Sequence, residues 1–427
     1  MSDAFAYRDD LLHCEDLALS TLAERHGTPL YVYSRATIAA RMATLRDAFG
    51  PETEICYAVK ANSNLSLLRL LASLGAGFDV VSSGELLRLR AAGVPTERAV
   101  FAGVAKQRDE IELALRLGIR TFHVESPHEL PWLAAAAAAH GTKARVALRM
   151  NPDVDPATHR HISTGKKENK FGLTFDVAAQ LVAEIAASPH LQLVGYQFHL
   201  GSQLTSPKPY VDAFDRVAEF VDADPRRGDG VETFDFGGGF GVPYRAGDTQ
   251  LDLTELAATL QAKLRPRGWR AVIEPGRFLV AEAGILLTRV IGTKGSDAKR
   301  FVLVDAAMND LMRPALYDAW HDVVPVRRNG SARPVSVDVV GPVCESSDFL
   351  AKDRVMPLPH QGDLLAVLGA GAYGASMASQ YNSRRRPAEI LVDGSTATVI
   401  RRRETHEELW AAELPTPHGN EGDDATS

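Results

Sequence analysis

Cysteine is scarce in this chain: three residues, Cys14, Cys56 and Cys344, are spread over 427 positions. No CxxC pair occurs, so neither a disulfide framework nor a cysteine-ligated metal site is expected, no metal is implied, and a reducing compartment fits. Long apolar runs are missing too. No stretch approaches the roughly 18 consecutive apolar residues of a membrane helix, and the opening MSDAFAYRDD lacks the apolar segment of a secretory signal. A block of one charge sign is also absent. The net charge of −7 comes from interspersed acids and bases, which leaves no electrostatic footprint for nucleic acid. The short basic run Arg384 to Arg386 reads as a solvated edge. The expectation is a cytoplasmic protein with no membrane or nucleic-acid partner.

What is present is enough apolar sequence, 45%, to fill a large core. From about residue 53 to 275, short β-branched or aromatic runs alternate with longer Ala/Leu-rich amphipathic stretches, the pattern of βα units and a parallel sheet. Eight such runs are found: TEICYAV, GFDVV, RAVFAG, RTFHVE, KARVALRM, LQLVGYQFHL, VETFDFG and RAVIEP. Helices are expected between them in LSLLRLLASLG, SGELLRLRAAG, DEIELALRLG and PHELPWLAAAAAAHG, several ending in a helix-stopping glycine. The run Ala134 to Ala139 reads as barrel helix, alanine being the best helix former. Eight units predict a closed βα barrel of the TIM type. After about residue 280 the runs LLTRVIGTKG, KRFVLVDA, SVDVVGPVC, DLLAVLGA, AEILVDG and TATVIRRR follow one another closely, which predicts an all-β, sandwich-like domain. The expected division is 1–35 as a segment packing with the β domain, 36–280 as barrel, 281–412 as β domain and 413–427 as a disordered tail.

In a βα barrel the chemistry sits at the C-terminal ends of the strands. Lys60 follows the first strand in YAVKAN; His199 and Ser202 follow the sixth in HLGSQ; DFGGGFG ends the seventh and EPGR the eighth. Singly, these read as a solvated charge, a capped histidine, a tight turn and a surface ion pair. On one rim they read as one site. The glycines 237 to 239, placed before a helix, suit a backbone anion cradle, and such loops after late barrel strands often hold phosphate. Val242 breaks the Rossmann spacing, and no GxxxxGK[ST] exists, so dinucleotide and nucleoside triphosphate readings fall away. A lysine, a phosphate cradle and a carboxylate suit pyridoxal 5′-phosphate (PLP), with Lys60 as a Schiff-base amine of depressed pKa and Glu274 paired to the pyridine nitrogen. In the β domain, Arg313 and Tyr317 of RPALY share a helical face suited to a carboxylate. Cys344 and Glu345 sit in a loop after a strand, and small residues surround Tyr373 and Tyr381.

Together YAVKAN, ISTGKKENKFG (162–172), HLGSQ, GGGFG, EPGR, GPVCESSDFLAKDR and GAYGASMASQYNSRRRPAEILVDG resemble the signatures of the diaminopimelate decarboxylase group within the fold type III, alanine racemase-like, PLP-dependent decarboxylases. Ser347, Lys166 and Leu200 depart slightly from that pattern. The resemblance implies decarboxylation of meso-2,6-diaminopimelate to L-lysine and CO2, the last step of lysine biosynthesis, by a homodimer whose active sites are shared across the interface. It implies Lys60 as the Schiff-base lysine, His199 stacking on the cofactor ring, and phosphate contacts from Ser202, Gly238, Gly239 and the backbone at Gly276. It also implies Glu274 at the pyridine nitrogen and Arg277, Arg313 and Tyr317 on the distal carboxylate. Arg277 further joins the cofactor contacts, Glu345 receives the distal amine, Cys344 of the neighbouring subunit donates a proton, and Tyr373 touches cofactor and substrate. The segment 162–172 is expected to move over the site.

Three rivals remain at the level of sequence: a decarboxylase for ornithine, arginine, D-lysine or carboxynorspermidine; a catalytically silent PLP-binding homologue; and a racemase. The arginine pair argues against the first, intact Lys60, Cys344 and Glu274 against the second, and the lack of a second acid/base opposite Cys344 against the third.

Overall fold

Eight short strands, β1 (Glu54–Ala58), β2 (Gly77–Val80), β3 (Ala99–Phe101), β4 (Thr121–Val124), β5 (Ala144–Arg149), β6 (Leu191–Gln197), β7 (Thr233–Asp235) and β8 (Arg270–Ile273), pair in parallel and close into a barrel when β8 meets β1. The computed structural model describes residues 4–154, 170–245, 247–296, 299–328 and 333–414. The part of the 162–172 segment up to residue 169, and the tail beyond residue 414, therefore lie outside the described residues.

All eight predicted runs contain these strands. They are legible because strands covered on both faces need near-continuous apolar sequence. The helices between them bury one stripe. In Glu129–Ala139, which takes in the alanine run, Leu130, Leu133, Ala136 and Ala137 face the core. Polar caps set the starts: Asn64 Oδ1 accepts from the Ser66 amide at 3.0 Å, and Ser82 Oγ from the Glu85 amide at 3.2 Å.

The second sheet has nine strands. Its main path runs β13 (Phe349–Pro357), β12 (Pro334–Val340), β10 (Arg300–Val304), β9 (Gly284–Gly295), the early strand Leu30–Ser34, β15 (Ala388–Asp393) and β16 (Thr396–Arg401). β14 (Leu364–Val367) pairs with β9 and with β11 (Val323–Pro325). Leu30–Ser34 is thus inserted between β9 and β15, antiparallel to one and parallel to the other. Three hydrogen bonds tie the turn carrying Lys60 to the loop after β14: the Tyr373 amide donates to Ala61 O at 2.8 Å, Ser376 Oγ to the same oxygen at 3.2 Å, and Asn62 Nδ2 to Gly371 O at 3.2 Å. The β domain therefore faces the C-terminal rim of the barrel.

Two sequence expectations are corrected. No helix follows the glycine run directly; among the described residues the next helix is Leu253–Leu264, and Gly238 and Gly239 are instead packed against the backbone at Glu274 and Gly201. The run Arg384 to Arg386 is not simply solvated, since Arg384 donates to Asp305 O at 2.9 Å and Arg386 Nε to Glu404 Oε1 at 2.6 Å.

Candidate active site

The C-terminal end of the barrel is lined by ionisable and other polar groups that the apolar strands carry inward. Asp79 from β2, His123 from β4, Arg149 from β5, Gln197 from β6, Asp235 from β7 and Glu274 after β8 are all buried. Burying a charge costs several kcal/mol unless it is paired. Arg149 is paired with Glu125 at 2.6 Å. The carboxyls crowd one another, and burial together with its acidic neighbours pushes Glu274 well above the usual range. Asp235 is raised in the same way, by burial first and then by Asp79.

Lys60 lies in the single turn Val59–Ala61 just past β1, and its ammonium meets Asp79 Oδ2 at 3.0 Å. Burial works against this charge, but Asp79, Tyr373 and Glu274 outweigh it and hold the pKa above the ordinary lysine value. The expected depression of the amine is therefore not found. Asp79 is the reason, and its signal was an acid inside the apolar run GFDVV.

His199 Nδ1 accepts from the Gly238 amide at 3.2 Å, so in this pairing the ring carries its proton on Nε2. Burial, Lys60 and Arg149 lower its pKa well below normal, and the imidazole is neutral. The glycines are required by close approach. A β-carbon on Gly238 would stand 2.1 Å from Glu274 O, and one on Gly239, where φ is +93°, 2.2 Å from Gly201 O. The amides of Gly237 and Gly238 are bonded within the chain, to Asp235 Oδ1 and His199.

A cavity of about 560 Å³ opens from Lys60 and is lined also by Ser202, Arg277, Arg313, Tyr317 and Tyr373. Arg277 and Arg313 are 8% and 6% exposed. Arg277 donates to Ser202 Oγ at 3.2 and 3.0 Å and lies 4.9 Å from the Tyr373 ring centre. Neither guanidinium has a carboxylate partner among the described residues; two buried positive charges face one cavity unneutralised. Tyr373 holds a left-handed backbone, φ +56°, a conformation costing about 1–2 kcal/mol, and it directs the ring beneath Arg277.

His321 was missed in the sequence although it closes MNDLMRPALYDAWH. Arg313 Nη1 lies 2.8 Å from His321 Nε2, and His321 Nδ1 lies 2.7 Å from Leu368 O. A guanidinium only donates and a carbonyl only accepts, so the neutral Nδ1–H tautomer is fixed. Burial and then Arg313 push its pKa down to about 3. Between pH 6.5 and 3 the unfolded chain binds a proton that the folded chain refuses, so this contribution to stability is complete above pH 6.5 and is lost as pH falls through that window. His321→Gln is expected to flatten the acid limb of unfolding free energy by about one proton, roughly 1.4 kcal/mol per pH unit. Denaturant titrations at pH 7, 6, 5 and 4 measure the slope.

Cys344 and Glu345 are exposed and do not line the Lys60 cavity. The Cys344 amide donates to Asn382 Oδ1 at 2.9 Å, and Glu345 is held by the Tyr381 hydroxyl.

A profile of the pyridoxal-dependent decarboxylases, describing their pyridoxal-binding domain, matches residues 35–281. The chain is 52% identical to the diaminopimelate decarboxylase of Pseudomonas aeruginosa over 97% of its own length and 100% of that protein. The chain belongs to the diaminopimelate decarboxylase family. The Helicobacter pylori diaminopimelate decarboxylase solved with L-lysine superposes with a TM-score of 0.88 at 42% identity, covering 92% of this chain and 99% of that one. That of M. jannaschii, also in complex with L-lysine, gives 0.91 at 37% identity over 97% and 99%.

Membership brings PLP as the cofactor of the family, and the rim of the barrel fits it. Glu274 Oε1 and Asp79 Oδ1 are buried with no hydrogen-bond partner among the described residues. A protonated ring nitrogen is the kind of donor that Glu274 lacks. His123, Asp235 and Glu274 also bring ligating atoms within 4.8 Å of one another. His123 is pushed well down by burial and by Lys106, and its nearest approach to Glu274, 3.4 Å, lacks hydrogen-bond geometry. No helix among the described residues is long and apolar enough to cross a membrane.

Proposed function

We propose that this member of the family decarboxylates meso-2,6-diaminopimelate to L-lysine and CO2. The observation that carries the reading is the pair of buried, unneutralised guanidiniums, Arg277 and Arg313, in the same cavity as Lys60. A substrate with a single carboxylate, which it loses in the reaction, has nothing to place there. Diaminopimelate has a second one. Ornithine, arginine and their kin would leave buried donors unpaired, a penalty that discriminates strongly.

Bound PLP supplies a protonated ring that accepts the electrons of the breaking bond to the carboxylate. The chain does the rest. Lys60 would be the covalent attachment point, with Asp79 3.0 Å from its amine. Neutral His199 would pack against the ring, and Glu274 would keep the ring nitrogen protonated. Gly238, Gly239, Gly276 and Ser202 would line the phosphate. Arg313 and Tyr317, from one helical turn, and Arg277 hold the distal carboxylate and so orient the reacting end, a proximity effect.

Cys344 and Glu345 act in the site of a neighbouring subunit of a homodimer, Cys344 donating the proton that replaces CO2 and Glu345 receiving the distal amine. Their exposure and their absence from the lining of their own chain's cavity support this. The cytoplasm is the compartment that suits three free cysteines and a biosynthetic activity.

Incubation with PLP and, separately, meso-diaminopimelate, L-lysine, D-lysine, L-ornithine and L-arginine tests the reading. CO2 and L-lysine are expected from the first alone; comparable CO2 from ornithine or arginine refutes the assignment.

A further inference from the structure

The two guanidiniums are bridged by a residue that the motifs left out. Tyr244 stands on the cavity wall. Its hydroxyl accepts from Arg277 Nη1 at 2.7 Å, and the Arg313 guanidinium lies 4.7 Å from its ring centre. The ring is fixed in place. It meets the His321 ring edge-on, centroids 5.4 Å apart, and a β-carbon on Gly369 would be 3.1 Å from its Cε1. His321 in turn anchors Arg313 at 2.8 Å.

We propose that Tyr244 is a specificity-determining residue: its phenol spaces Arg277 and Arg313 on the cavity wall and donates a hydrogen bond to the substrate's distal carboxylate. The proposal rests on the substrate reading above. Three observations carry it. The phenol oxygen is used as an acceptor by Arg277, yet no acceptor among the described residues takes the phenol's own proton, so that proton is available to the cavity. A carboxylate offers about four acceptor sites. Arg277 has committed three of its five N–H groups to Ser202 and Tyr244, so it has two left, and Arg313, Tyr317 and Tyr244 are the donors that complete the set. Finally, two buried like charges repel, and a phenol dipole between them is a neutral way to hold them together before a carboxylate arrives. Burial by itself raises the Tyr244 pKa, but Arg277 and Arg313 reverse that and bring it below the usual phenol value, which makes the hydroxyl a stronger donor.

A merely packed tyrosine predicts none of this. L-Lysine still carries the carboxylate that remains after decarboxylation, whereas cadaverine lacks it, so the pair isolates the clamp. Calorimetric titration of the PLP-loaded parent and Tyr244→Phe with each ligand is the test. Tyr244→Phe is expected to weaken L-lysine roughly ten- to a hundredfold, the loss of one hydrogen bond to a charged group. Cadaverine affinity and cofactor content should be unchanged, and KM for meso-diaminopimelate should rise more than kcat falls. If the parent prefers L-lysine but the variant binds it as tightly, or if both ligands weaken equally, the Tyr244 role is overturned while the substrate reading stands. A parent that binds both ligands alike overturns the substrate reading, and the role of Tyr244 with it.

Discussion

Lys60→Ala is expected to abolish turnover and to remove the borohydride-reducible attachment of PLP, leaving cofactor that gel filtration strips away. The expected loss in kcat is more than about 10³-fold, because a covalent anchor and a positioned acid/base, the latter alone worth 10²–10⁴, vanish together. The geometry makes this a demanding test. No other lysine among the described residues lines the cavity, and the amine is held at 3.0 Å from Asp79 on the turn after β1. Retained covalent PLP in the variant would place the attachment elsewhere. The same variant probes the homodimer. Mixed with Cys344→Ala after dissociation and reassembly, it is expected to regain activity, since a hybrid carries one site with both Lys60 and Cys344 intact, about a quarter of all sites in an equal mixture of a two-fold dimer. Absence of recovery, with hybrids demonstrably formed, refutes a site shared between subunits.

The barrel was legible in the sequence because parallel strands leave a one-dimensional trace, an apolar run every 22 to 47 residues, and because their ends mark where Lys60, His199 and Glu274 must lie. Asp79 was not legible in this way. It sits in GFDVV as one more strand residue, and only the pairing of β1 with β2 brings it to Lys60. Tyr244 and His321 share that fate: the first meets Arg277, 33 positions away, and reaches Arg313 only once the barrel and the β domain are packed together, while the second reaches Arg313, eight positions away, only through the local fold of the β domain. The glycine run was read for its chemistry but not for its neighbours. Close packing on Glu274 O and Gly201 O explains glycine there without a following helix. Sequence thus located the groups that terminate strands, and missed those whose purpose is to hold other side chains.

Arg313→Leu is expected to lower kcat/KM for meso-diaminopimelate by about 10²–10³, some 3–4 kcal/mol, within the range for removing one partner of a buried charged contact. Leucine fills part of the space, so the loss is one of charge and hydrogen bonds more than of volume. His321 would lose the guanidinium its Nε2 accepts from, while its Nδ1–H keeps Leu368 O, so the helix Arg313–Tyr317 is expected to stay in place. Cofactor loading should be intact, because Lys60, Glu274 and His199 are fixed by other partners. The defect should therefore fall on substrates in proportion to what they place at the far end: large for meso-diaminopimelate, absent in cadaverine binding. A variant that processes meso-diaminopimelate as well as the parent removes Arg313 from the clamp. Arg277 and Tyr317 would then have to hold the carboxylate without it, and the second buried charge facing the cavity would need another ligand.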